Sequence, residues 1–213
     1  MARRTKQQAQ QTRTRIVDAA LAAFAEHGVR ATTLEDVAVR AGVTRGAVYW
    51  HFANRPALVL EVISDLRWPL EIGADFDAYR RHPRPLALLQ QNLYREIERC
   101  MNSPGQRQRV LLALDPHVRA ELGAAALARI DREVAACEQG LERVAALAHQ
   151  LGQLRAGLTP ATVAHGLCAV GRAALSERPR EMAPASRWVA PPYLELFLCG
   201  VCAAGQCHGL EVR

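Results

Sequence analysis

The sequence predicts an all-α fold, on three observations. Ala, Leu, Arg, Gln and Glu are abundant while strings of β-branched residues are few, which favours helix over strand. Apolar residues recur at three- and four-residue spacing through most of the chain, the signature of one helix face. Cap residues, glycines and prolines fall where those periodic segments begin and end.

Each element follows in order. Thr5-Lys6-Gln7-Gln8 has the form of a capping box, but the first helix proper is expected to begin nearer Thr12. Ile16, Ala20, Ala23, Phe24 and His27 form its inner face, and Gly28 stops it. Thr33-Leu34-Glu35-Asp36 opens a second helix with Leu34, Val37, Ala38 and Ala41 inward, broken by Gly42. Thr44 caps a third helix from Arg45 to about Phe52, and Asn54 caps a fourth, where Pro56 is tolerated in the first turn. That fourth segment is expected to run stiffly from Ala57 to Trp68.

The second and third helices, joined by Ala-Gly-Val-Thr, make a helix-turn-helix. Gly42 supplies the left-handed backbone that so tight a turn needs. Val43 and Val48 can pack on Val37 and Ala38, which leaves Arg45, Gly46, Tyr49 and Trp50 pointing outward.

Beyond Asp65 the chain changes character. Amphipathic segments run over about 84–102, 106–114 and 117–151, set apart by Pro83, Pro85, Pro104 and Pro116. Thr159-Pro160 caps a helix over about 160–176, with Val163, Leu167, Val170 and Ala174 on one face and Gly166 and Gly171 allowing close approach. Pro191-Pro192 precedes a last apolar helix over about 193–204.

Charge is placed unevenly. The first 60 residues hold nine basic residues against four acidic ones, which accounts for +5 of the chain's net +6. A basic segment on a nearly neutral body is the footprint of a polyanion-binding module. No secretory signal is recognisable, because Asp18 interrupts the first apolar run. The longest apolar stretch, Leu196–Gly205, is too short to span a bilayer. A soluble cytoplasmic protein without membrane contact is expected, its six cysteines reduced.

Over Arg15–Leu58, RIVDAALAAFAEHGVRATTLEDVAVRAGVTRGAVYWHFANRPAL, the chain resembles the TetR family of bacterial repressors. First helix, helix-turn-helix and the Y-x-H-F-x-N-[KR]-x-x-L entry into the fourth helix all agree. The opening ARRTKQQAQQTR and the YWHF run are similar to repressors of multidrug efflux pumps within that family. Residues 61–213 match chiefly in helix pattern and in the closing PPYLELFLCG. One departure is Arg55, where the family usually carries Lys; the charge is kept.

The resemblance implies a DNA-binding domain over residues 1–55 and a ligand-binding, dimerising domain over 56–213. It implies a homodimer on a palindromic double-stranded operator, released by an apolar or cationic inducer, with the last two long helices packing on their mates. Tyr49 and His51 resemble the family's phosphate-gripping pair, with Arg55 and the helix starts at Thr33 and Thr44 as further phosphate contacts. Arg45 suits a bidentate guanine contact, and Gly46 allows close backbone approach. Trp50 either touches a phosphate or thymine methyl or seals the domain edge. Arg3, Arg4 and Lys6 are either a minor-groove arm or a solvated tail. Trp68, Phe76, Tyr94, Glu98 and Met101 are candidates to line the inducer pocket, Glu98 pairing a cation, or else are plain core and surface.

Two other chemistries compete with this one. Cys199, Cys202, Cys207 and His208 have metal-ligand character, yet the first two sit in the most apolar helix, where thiols ordinarily pack. A metal- or redox-responsive repressor is therefore the alternative reading, and no cofactor or metal is expected in the first. Cys100 beside Arg99 and Cys207 beside His208 have a neighbour in sequence able to lower a thiol pKa. No phosphate loop, nucleophile elbow or His-x-x-x-His pair is present, so no enzymatic activity is expected.

Overall fold

The computed structural model describes residues 2–70, 76–176 and 192–204, with the side chains of residues 2–5 left aside. The described residues form α1 (Ala2–His27), α2 (Leu34–Ala41), α3 (Arg45–His51), α4 (Arg55–Ser64), α5 (Phe76–Arg81) and α6 (Pro85–Met101). They continue with α7 (Pro104–Leu114), α8 (Pro116–Glu121), α9 (Ala124–Gln150), α10 (Pro160–Ser176) and α11 (Pro192–Val201). The fold is all-α, and the one β-type contact among the described residues is an isolated bridge between Leu154 and Cys202.

Helix boundaries correct the sequence reading in four places. α1 is helical from Ala2, ten residues before Thr12; the Lys, Gln and Ala there are good helix formers with no Gly or Pro among them. Arg3, Arg4 and Lys6 lie in the first turns of that helix. α4 stops at Ser64 rather than Trp68; Pro69 keeps only Trp68, the residue before it, out of helical backbone. The expected helix over 117–151 is two, α8 and α9, parted at Leu122 and Gly123. α5 was not anticipated.

The chain divides into two compact units. The first comprises the residues up to Leu66 together with Gln108–Arg129. Here α1 packs on α2 and α4, and α2 packs on α3. Ile16, Ala20, Phe24, Val37, Ala38, Val48, Leu58 and Val62 are buried at their common centre. His27, expected on that face, is exposed. Buried Thr32 satisfies its hydroxyl by donating to the Gly28 carbonyl (2.8 Å), which fixes the link between α1 and α2.

Local chemistry sets the helix-turn-helix. Thr33 and Asp36 close a capping box: the Thr33 hydroxyl accepts from the Asp36 N–H (3.1 Å) and the Asp36 carboxylate accepts from the Thr33 N–H (2.9 Å). Gly42 adopts φ 63° and ψ 40° at the end of α2, a left-handed conformation that suits glycine. The Arg15 guanidinium, from α1, donates to the carbonyls of Ala41 and Gly42, satisfying acceptors that the helix end leaves open. Thr44 then caps α3, accepting from the Ala47 N–H (3.1 Å), and Asn54 caps α4, accepting from the Ala57 N–H (2.9 Å).

The second unit comprises Arg67–Arg107 and the residues from Ile130 on. In it α5 and α11 pack on α6, and α10 packs on α11. Gly166 and Gly171 are the close approaches: an added Cβ would strike the Phe197 ring at the first and come 2.8 Å from a Leu70 methyl at the second. Val163, Leu167 and Ala174 of α10 are buried in the chain's own core. The face of α10 that carries them is therefore turned to the chain's own core, with Val170 half-buried. The exposed positions of α10 are Ala161, Thr162, His165, Ala169, Arg172, Ala173 and Ser176.

Candidate nucleic-acid interface

With two turns only, α3 needs an anchor at both ends. Val48 is fully buried and Phe52, just past its last residue, is 3% exposed. Arg13 of α1 stacks its guanidinium on the Phe52 ring (4.7 Å) and pairs with Glu61 of α4 (2.8 Å). With Arg15 gripping the preceding turn, two arginines of α1 fix the pose of α3. Residues four apart share a face, so the anchored helix presents two outward rows, Arg45 with Tyr49 and Gly46 with Trp50. Tyr49 is 43% and Trp50 74% exposed. An aromatic so open on a short helix has little domain left to seal.

Polar partners separate the candidate residues. The Arg45 Nε lies 2.8 Å from the Glu35 carboxylate of α2, and its guanidinium lies over the Tyr49 ring at 5.3 Å. Tyr49, then Glu35, hold that guanidinium above its ordinary pKa. The Thr33 hydroxyl both accepts from Asp36 and donates to its carboxylate (2.7 Å). That leaves no hydroxyl proton for a phosphate, and an anion beside it. The Thr44 hydroxyl only accepts, so its proton remains to be given. His51 packs edge-on against Trp50 (4.5 Å), and burial, then the Arg13 charge, lower its pKa; it is neutral at pH 7 and retains one N–H donor.

Arg55 stands apart. It donates to the Arg30 carbonyl (3.2 Å) and pairs with Glu121 of α8 (2.8 Å). Its guanidinium is engaged within the unit rather than displayed. Sequence reasoning missed Glu35, Glu121, Arg13 and Arg15 as determinants of this face.

The five candidate ligand residues lie in the second unit. Trp68, Phe76, Tyr94 and Glu98 are half-buried and Met101 is buried. Phe76 carries the Arg143 guanidinium 3.8 Å above its ring. Burial, then the Glu195 charge, push the Tyr94 hydroxyl pKa up. Glu98 shares an open depression of about 430 Å³ with Arg95, Arg99 and Asn102.

The thiols correct one expectation. Burial, then the Glu96 charge, raise Cys100 to about 11, so Arg99 does not activate it. Cys168 is likewise raised to about 11, chiefly by burial. Among the described residues no group of three His, Cys, Asp or Glu is placed to hold a metal ion. Cys207 and His208 lie outside the described residues, and no described helix is long and apolar enough to cross a membrane.

Residues 16–62, which contain the helix-turn-helix of α2 and α3, match the family described as bacterial regulatory proteins, tetR family. Over that segment the chain is similar to the TetR family. It is 54% identical over 66 residues to the transcriptional regulator TtgR of Pseudomonas putida, 31% of either chain. It is 38% identical over 124 residues to the regulator AcrR of Shigella flexneri, 55% of this chain and 54% of that one. The chain thus spans between about a third and about a half of these curated relatives. In three dimensions it resembles SmeT, the repressor of the Stenotrophomonas maltophilia multidrug efflux pump SmeDEF, at 27% identity, with 91% and 92% of the two chains covered and a TM-score of 0.64. The SmeT–triclosan complex gives 27% identity, 92% and 93% coverage and a TM-score of 0.65.

Proposed function

We propose that this chain is a ligand-responsive transcriptional repressor of the TetR family that binds a near-palindromic operator as a homodimer. The carrying observation is the outward face of α3, a hydrogen-bonding and aromatic surface anchored from behind. Arg45 reads guanine through a bidentate contact, and Gly46 lets the backbone come close to a base. Tyr49, His51 and the free hydroxyl proton of Thr44 take phosphates, and Trp50 meets a phosphate or thymine methyl. Thr33 shapes the start of α2, and Arg55 acts as an internal tether rather than a phosphate grip. One such helix covers few base pairs, so a second copy about one turn of DNA away (roughly 34–36 Å) supplies the specificity.

Control of an efflux operon is supported by SmeT, which matches over nearly its whole length and is described as an efflux-pump repressor. SmeT in complex with triclosan supports a small-molecule inducer. Arg143 over Phe76, with Arg95 and Arg99 beside Glu98, sets protein cations where a cationic ligand would sit. That favours the apolar over the cationic inducer.

Linkage tests the reading from both ends. Operator and inducer must each weaken the other's binding by one common factor, about 5–150-fold for a coupling of about 1–3 kcal/mol. Triclosan binding is titrated with and without a duplex selected by the protein from a randomised library, and duplex binding with and without triclosan. Selection of no preferred duplex would remove the repressor reading. Tight triclosan binding with no mutual effect would remove triclosan as an inducer.

A further inference from the structure

Glu35 occupies the first turn of α2 but takes no part in its capping box, which Thr33 and Asp36 complete between them. Its carboxylate instead reaches α3 and meets Arg45 Nε at 2.8 Å. On its other side the same guanidinium lies over Tyr49, one helical turn along α3. Arg45 is thus held between two helices, by the Glu35 carboxylate of α2 at its Nε and by the Tyr49 ring of α3. The two side chains are 67% and 44% exposed, and exposed ion pairs contribute little to stability. A carboxylate on a face that must meet phosphates also opposes binding. A feature that stabilises little and repels the ligand calls for another explanation.

We propose that Glu35 is the specificity-determining partner of Arg45, fixing its guanidinium in one orientation before DNA arrives and so sharpening base choice at the expense of raw affinity. This rests on the reading of Arg45 as the base-contacting residue. Two effects act together. An already ordered side chain loses less rotamer freedom on docking, which favours the one complex whose base matches that orientation. The carboxylate repels nearby phosphates in every complex alike, and only a matched base contact offsets that repulsion. The competing account is the α2 macrodipole, which an acid in the first turn stabilises. Asp36 already serves that end, and the macrodipole account predicts a change in melting temperature with no change in base choice.

The experiment uses the full chain, a duplex it selects from a randomised library, and a scrambled duplex of the same composition. Wild type, Glu35→Ala, Arg45→Ala and the double variant are compared by fluorescence anisotropy, with melting temperatures alongside. Ala keeps helix propensity and leaves the capping box intact. Glu35→Ala is expected to tighten scrambled-duplex binding by up to about threefold while the selected-to-scrambled ratio falls between about threefold and tenfold. In the Arg45→Ala background it should move the ratio by less than about twofold, the usual limit of additivity. A ratio left at the wild-type value by Glu35→Ala overturns the proposal, whether or not the melting temperature moves. So does an equal fall in both backgrounds. If Arg45→Ala alone keeps the full ratio, the base-reading role of Arg45 fails first, and that result is seen without touching Glu35.

Discussion

Arg55 on the first turn of α4 and Glu121 at the end of α8 form a half-buried ion pair at 2.8 Å, across 66 positions of sequence. Arg55 also donates to the Arg30 carbonyl, so one guanidinium joins α4, α8 and the turn before α2. Loss of either partner should therefore loosen the seat of the helix-turn-helix. Arg55→Ala and Glu121→Ala are each expected to destabilise by about 1 kcal/mol, with a double variant clearly less than additive. Both should weaken binding to all duplexes alike. Urea melts and anisotropy check this; if Glu121→Ala leaves DNA binding untouched while Arg55→Ala abolishes it, Arg55 meets phosphate directly.

Gly42 and Arg15 form the second device. Ala at Gly42 must take φ near 63°, at a cost of roughly 1–2 kcal/mol for a left-handed residue. Its Cβ would also come 3.1 Å from Arg15 Nη2, an atom that can move only by giving up carbonyls it satisfies. Gly42→Ala should thus weaken DNA binding more than its melting shift implies. Arg15→Ala should do likewise, with unchanged far-ultraviolet circular dichroism. Normal operator affinity in both variants would show that this turn does not position α3.

How much of this was legible beforehand depends on distance along the chain. Thr33, Thr44, Asn54 and Gly42 were readable because a cap or turn is decided by neighbours three or four residues away. Val48 followed from the packing of a short helix-turn-helix on Val37 and Ala38. The partners of Arg45 and Arg55 did not, since the one is set by how α2 meets α3 and the other lies 66 residues off. The stop of α4 at Ser64 was not legible, since Pro69 restricts only Trp68. The inner face of α10 was ambiguous for a physical reason: Val163, Leu167 and Ala174 look the same whether they meet their own core or a second subunit.

His51 makes stability depend on pH. Its folded pKa lies below 6.5, through burial first and the Arg13 charge second. In the folded state it therefore resists a proton that the unfolded chain accepts. The stability gained from the neutral ring is fully present above the unfolded pKa of about 6.5 and is lost as pH falls through the folded value. Wild-type melting temperature should drop more between pH 7.5 and 5.5 than that of His51→Gln. Parallel curves would mean that the ring's surroundings do not discriminate between its charged and neutral forms.

The dimer is best tested on the exposed side of α10. Ala161, His165, Ala169 and Ala173 recur every fourth residue and are exposed, so they form one stripe along the helix. On α11, Leu196 is 70% exposed. The small side chains of Ala161, Ala169 and Ala173 admit another helix closely, whereas Val163 and Leu167 on the opposite side are already occupied. Charge introduced at Val163 or Leu167 would unfold the second unit and say nothing about assembly. Ala169→Glu instead adds charge and bulk where the chain itself makes no demand, at a position whose substitution should change stability by less than about 0.5 kcal/mol in the monomer. Sedimentation should then show a folded monomer in place of a dimer. Binding to a two-half-site duplex should fall toward that of a single half-site, since the second recognition helix is no longer joined to the first. A folded Ala169→Glu variant that remains dimeric would place the interface elsewhere. A wild-type monomer that grips one half-site tightly would remove the dimer from the mechanism altogether.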